Sequence, residues 1–123
     1  MSNLIDRPVY LKQLIENRDV DLVKIITGIR LDLFHQYLTE SGVAEDHIIH
    51  MNLESLRYRS LSDHLSFYDH VSRQIPAVGK TYLIFDELQV VSHWEKAVES
   101  FRLDYDVDIY ITGSNAQLLS TEF

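Results

Sequence analysis

Two adjacent acids, Asp86 and Glu87, stand at the end of the run Thr81-Tyr-Leu-Ile-Phe-Asp-Glu-Leu-Gln89. Tyr82 to Phe85 are continuously apolar, the pattern of a strand buried on both faces. Acids at the C-terminal end of such a strand sit where open α/β sheets bind ligands. One carboxylate of such a pair can help hold Mg²⁺, and the other can prepare a water molecule for attack on phosphorus. The bland alternative is a pair of solvated acids at a sheet edge.

A second apolar run, Val107 to Thr112, ends in Tyr110-Ile-Thr-Gly-Ser-Asn115. It brings Thr112, Ser114 and Asn115 to another strand tip, the end of an open α/β sheet where ligands bind. Ser and Asn there are equally compatible with a turn and a helix N-cap. A third run, Lys24-Ile-Ile-Thr-Gly28-Ile-Arg30, ends in glycine, as a phosphate-binding loop begins. The full loop reads G-x-x-x-x-G-K-[ST] and then enters a helix. Here Gly28, Ile29 and Arg30 pass directly into Leu31-Asp-Leu-Phe-His-Gln-Tyr-Leu38, already amphipathic, with no second glycine, lysine or hydroxyl residue. Gly79-Lys80-Thr81 spells the last letters of such a loop but precedes a strand, so it cannot cradle a phosphate at a helix N-terminus.

Other patterns carry less. Asp104-Tyr-Asp-Val-Asp108 begins like a calcium loop, but Ile109 stands where glycine is needed and Asn115 where the bidentate Glu is needed. The six histidines show no i, i+4 helical pair, and Trp94 with Val98 and Phe101 reads as a helix face turned to the core.

The elements that must position the acids follow from periodicity and breakers. Helices are expected over 8–17, 31–41, 60–75 and 91–102, and strands over 22–27, 47–53, the run before Asp86, and 107–112. In the third helix Leu61, Leu65, Tyr68 and Val71 or Ile75 are expected to face inward. Strands separated by helices imply a parallel sheet covered on both faces, an α/β fold.

Length and composition set the bounds. A chain of 123 residues is one domain or part of one. It has no cysteine, which excludes a disulfide framework and a thiolate zinc site. There is no apolar run long enough for a membrane span and no signal peptide, so a cytoplasmic location is expected. A net charge of −8, with basic residues scattered, speaks against direct nucleic-acid binding by this segment.

Taken together these residues resemble a family of prokaryotic AAA-type ATPases. The likeness runs through Tyr10 to Ile15, Val23 to Arg30, Leu31 to Gly42, Ile48 to Glu54, Tyr82 to Gln89 and Asp108 to Ser120. It is most specific in Asp86-Glu-Leu-Gln89 and in Asp108-Ile-Tyr-Ile-Thr-Gly-Ser-Asn-Ala-x-Leu-Leu-Ser120. The resemblance implies a three-layer α-β-α parallel sheet of the P-loop NTPase type, with ATP and Mg²⁺ as cofactors and a nucleotide site at the tips of the first and third strands. By position, Asp86 is the acid that holds Mg²⁺ through water and Glu87 the catalytic base. Asn115 with Ser114 forms the sensor of the γ-phosphate, and Gly28, Ile29 and Arg30 are the surviving start of the P-loop. Homo-oligomers and a C-terminal partner domain are the expected associates.

Two departures matter. The junction at Arg30–Leu31 is about seven residues short of a complete P-loop. The chain also ends before the family's fifth strand and arginine finger, so residues 1–123 read as the N-terminal part of one AAA-type domain. The expectation is an ATPase domain inactive as written. The alternatives are a degenerate, non-enzymatic interaction module and a metal-dependent phosphohydrolase using Asp86 and Glu87, with Asp108 as an optional third acid.

Overall fold

The computed structural model describes residues 31–113 in full and the backbone of 23–26. The expected helix over 8–17 and the candidate residues Gly28, Ile29, Arg30, Ser114 and Asn115 lie outside the described residues. The described strands are β1 (Val23–Ile26), β2 (Ile48–Asn52), β3 (Thr81–Asp86) and β4 (Val107–Thr112), and the helices are α1 (Asp32–Glu40), α2 (His64–Ser72) and α3 (Trp94–Asp104). All pairings are parallel, in the order β1-β4-β3-β2.

This order dictates which face each helix covers. From β1 the chain crosses the whole sheet to reach β2, then returns stepwise through β3 to β4. Right-handed crossovers therefore place α1 on one face and α2 and α3 on the other. Burial agrees. Phe34 and Leu38 of α1 pack with Leu31, Ile48, Tyr82, Ile84 and Tyr110. Alternate strand residues, Ile49, Met51, Leu83, Phe85, Ile109 and Ile111, pack on the opposite face with Phe67, Val71, Trp94, Val98 and Phe101. The three-layer α/β fold read from the sequence is thus the one observed. Thr81 to Phe85 are all buried, as a central strand covered on both sides requires.

Local chemistry sets the ends of the helices. α1 stops in a paired-bond C-terminal motif: Val43 N–H donates to Leu38 O (3.0 Å) and Gly42 N–H to Thr39 O (3.2 Å). Gly42 takes φ 101°, which a glycine adopts freely, and Val43 packs back onto the α1 core. α2 begins at the cap Asp63, whose carboxylate accepts from Leu65 N–H and Ser66 N–H, both at 3.1 Å. Those N–H groups and the Ser66 hydroxyl hold the Asp63 carboxyl below its ordinary range, the Ser66 backbone contributing most.

The third helix corrects the sequence expectation. It spans His64–Ser72 rather than 60–75, preceded by a 3-10 turn at Leu56–Tyr58. Starting the helix at Asp63 sets its phase so that Phe67 and Val71 face the sheet, and Leu65 points out at 67% exposure. Leu61 is buried from the preceding loop. Phe67, Phe85 and Phe101 form an edge-to-face and tilted cluster with centroids 4.9–6.2 Å apart. Trp94, Val98 and Phe101 are core residues, as their spacing indicated.

Candidate functional site

Register brings the site together. Asn52 pairs with Asp86, Phe85 with Ile111, and Ile26 with Thr112, so the C-terminal tips of the four strands lie along one edge of the sheet. Leu53 N–H donates to Asp86 O at 2.9 Å and extends the β2–β3 ladder past the last paired residues. A cleft of about 250 Å³ opens there, lined by Leu31, Asp32, Asn52, Glu54, Asp86, Glu87 and Thr112. It contains both acids singled out by the sequence. Leu31 and Asp32, at the start of α1, form its wall on the side of the short junction.

Asp86 is held from two sides. Thr112 Oγ1 donates to its Oδ1 at 2.9 Å, and His50 Nε2 lies 2.8 Å from its Oδ2. Asp86, Thr112 and His50 share the strand parity that faces α1, so the three side chains converge. A carboxylate has about four lone-pair sites, which leaves both oxygens able to accept from further donors, such as metal-bound waters. The Thr112 hydroxyl spends its hydrogen on Asp86.

Glu87 breaks out of the strand. Its backbone adopts φ 56°, ψ 46°, the left-handed region, and its N–H points to Thr112 Oγ1 at 3.4 Å. This kink takes Glu87 out of the ladder and sends its carboxylate to the cleft mouth, where Gln89 Nε2 donates to Oε1 at 2.8 Å. A non-glycine residue there stores backbone strain of order 1–3 kcal/mol, a feature concentrated at functional sites.

The cleft is acidic. Asp32, Glu54, Asp86 and Glu87 contribute four carboxylates, and no Lys or Arg lines it among the described residues. Among those residues there is also no cluster of three or more His, Asp or Glu side chains able to cage a metal. Mg²⁺ is compatible with this, because it keeps several waters and commonly takes one or two carboxylates plus substrate phosphates. In the sequence, Gly28 to Leu31 hold neither the lysine nor the Ser or Thr of a complete phosphate-binding loop.

Position removes Asp108 from the phosphohydrolase alternative and leaves its Asp86 and Glu87 together in the cleft. Asp108 pairs with Tyr82 at the opposite end of β3, four residues and roughly 13 Å of strand from Asp86. It is 2% exposed and accepts a hydrogen bond from the Tyr110 hydroxyl at 2.8 Å. It cannot share a metal or a water with Asp86 and Glu87. Sequence reasoning also missed His50. The available signal was its parity on β2, two residues before Asn52, which faces it toward α1 like Asp86.

A parallel α/β sheet with paired acids at the tip of a central strand is the architecture of P-loop NTPase-like domains. A family model described as AAA domain matches residues 21–123, and the chain belongs to that family. An uncharacterised protein of Haemophilus influenzae is 38% identical over 127 residues, covering 97% of this chain and 32% of that protein. An uncharacterised protein of Methanocaldococcus jannaschii is 27% identical over 143 residues, covering 99% of this chain and 32% of its own length. The chain therefore spans about a third of the curated relatives it matches. No solved structure matches it significantly. Among the described residues no helix is long and apolar enough to cross a membrane.

Proposed function

We propose that the chain is the first part of an ATP-hydrolysing AAA-type domain in which Asp86 positions Mg²⁺ through water and Glu87 is the general base. The single observation that carries this reading is the convergence of Asp86, Thr112 and Glu87 at one cleft on the ligand-binding edge of the sheet. In the proposed reaction a water oxygen bonds to the γ-phosphorus as the bond to the β–γ bridging oxygen breaks. The Glu87 carboxylate accepts the proton that the water gives up. When bound, Mg²⁺ neutralises charge on the phosphate oxygens. Ser114 and Asn115, following β4 in sequence, act as the γ-phosphate sensor, and Gly28 to Arg30 are what remains of the phosphate loop. A homo-oligomer and a C-terminal partner domain belong to the same proposal.

The chain as written is proposed to bind ATP weakly or not at all. Four carboxylates around the cleft repel a polyanion, and the loop that normally overcomes this repulsion is missing. The aligned stretch shared with the Haemophilus relative is 127 residues, longer than this 123-residue chain, so the relative carries residues absent here. A gap at Arg30–Leu31 is the one the motif calls for. The same acidic, loop-less cleft favours a second reading, a degenerate AAA-type module kept for protein contacts. Calorimetry with Mg-ATP tests the first reading. Absence of saturable binding is expected, and a Kd in the low micromolar range would overturn the inactivity. Any hydrolysis that survives Glu87→Gln would remove Glu87 from its role.

A further inference from the structure

A row of hydrogen-bonding side chains runs from α1 to Asp86. Glu45 Oε2 lies 3.4 Å from His35 Nε2 and also accepts from Thr39 Oγ1 at 3.0 Å. His35 Nδ1 lies 2.9 Å from His50 Nδ1, and His50 Nε2 lies 2.8 Å from Asp86 Oδ2. The His50 and Asp86 side chains at the inner end are 15% and 19% exposed, and Glu45 at the outer end is 67% exposed.

Two ring nitrogens facing one another constrain the tautomers, since only one can carry the hydrogen they share. A carboxylate is acceptor-only, so the contact with Asp86 requires the hydrogen on His50 Nε2. In a neutral ring His50 Nδ1 is then an acceptor and His35 Nδ1 must be the donor. That leaves no hydrogen on His35 Nε2 for Glu45, so the hydrogen-bonded row in neutral rings runs from His35 through His50 to Asp86. His35, donating to the other ring nitrogen, therefore reinforces the tautomer with which His50 grips Asp86. The arrangement parallels the outer partners that fix the tautomer and ring orientation of metal-site histidines. Here the gripped group is a carboxylate, and the outer histidine, His35, rides on the helix α1.

We propose that His50 is a positioning residue for Asp86 and that His35, through the shared Nδ1···Nδ1 hydrogen bond, links the placement of α1 to the orientation of that carboxylate. The proposal deepens the reading of Asp86 as the Mg²⁺-associated acid and rests on it for its purpose. Its geometry stands without nucleotide. Thr112 fixes one oxygen of Asp86 and cannot by itself set the rotation that aims the other. His50 supplies the second point, and two points define the carboxylate plane.

The test is NMR on the full chain without nucleotide or metal, with ¹⁵N-labelled histidine and ¹³C-labelled aspartate. The variants are His50→Gln, which keeps a donor near the Nε2 position, His50→Leu, which removes it, and His35→Phe, which removes only the outer donor. Wild type is expected to show His50 as the single Nε2–H tautomer and Asp86 in a single rotamer, read from three-bond couplings. His35→Phe is expected to lose the single tautomer. His50→Leu is expected to lose the single Asp86 rotamer, and His50→Gln to restore it. A His50 hydrogen on Nδ1, indifference of His50 to His35→Phe, or an unchanged Asp86 rotamer in His50→Leu would each overturn the proposal. Circular dichroism of every variant separates these losses from unfolding. If the relay behaves as expected and ATP hydrolysis is never found in a longer form of the protein, the nucleotide reading fails and the positioning device remains.

Discussion

The left-handed backbone at Glu87 gives a prediction that ordinary propensities would get backwards. At a position with negative φ, replacing Gly by Ala stabilises a protein by about 0.4–1 kcal/mol, because glycine has more unfolded-state entropy to lose. At φ 56°, ψ 46° an L side chain costs about 1–2 kcal/mol instead. Subtracting the entropy contribution, Glu87→Gly should be more stable than Glu87→Ala by about 0.5–1 kcal/mol. Both variants lose the carboxylate and its hydrogen bond from Gln89, so their difference isolates the backbone. Urea denaturation at constant m-value measures it, and for a chain of this size about 1 kcal/mol corresponds to roughly 3–5 °C in Tm. Glu87→Gln keeps the same backbone demand and should stay within about 0.5 kcal/mol of the parent. Equal stability of the Gly and Ala variants, or a more stable Ala variant, would refute the claim that the acid is presented by a strained turn.

Two further outcomes follow from the surface groups. Asp63 caps α2 and its carboxyl is held below the usual range, so its stabilisation is present above the unfolded value of about 4 and is lost as pH falls through the lower native value. Thermal melts from neutral to acidic pH should show Asp63→Ala less stable than the parent at neutral pH, with the two curves converging in acid. A constant difference across that range would contradict the cap. The Tyr68 hydroxyl donates to the Asp104 carboxylate, and this bond, with burial second, pushes its pKa up to about 12. The bond's stabilisation is complete below pH 10 or so and is lost as pH rises through the native value. Ultraviolet titration should show one tyrosinate forming late in the parent and nearer pH 10 in Asp104→Asn. Identical titrations would remove the bond from the account.

Much of this architecture was legible because it rests on one-dimensional signals. Tyr82 to Phe85 reads as a buried strand whatever surrounds it, and Gly42 marks the end of α1 because the paired-bond cap needs positive φ. The acids Asp86 and Glu87 were legible for the same reason, as a polar break in an apolar run. The start of α2 was not, since Ser60, Ser62 and Asp63 are all competent caps and only tertiary packing chooses Asp63. That choice turns Leu65 outward and Phe67 inward. His50 was illegible as a partner of Asp86, because 36 residues separate them and only the β2–β3 register joins them. Asp108 looked as available as Asp86 until register placed it at the far end of the sheet. The strained turn at Glu87 had no glycine or asparagine to announce it.

The central claim is that this cleft is the acid half of an ATP site whose phosphate-binding half is missing at Arg30–Leu31. The most direct measurement compares Mg-ATP binding and turnover in the chain as written, in a version with a Gly-x-x-x-x-Gly-Lys-Thr loop rebuilt from Gly28, and in the rebuilt chain carrying Glu87→Gln. The account predicts no saturable binding in the first, micromolar binding with turnover in the second, and binding without turnover in the third. Tight binding by the chain as written, or undiminished turnover in the third, would contradict it.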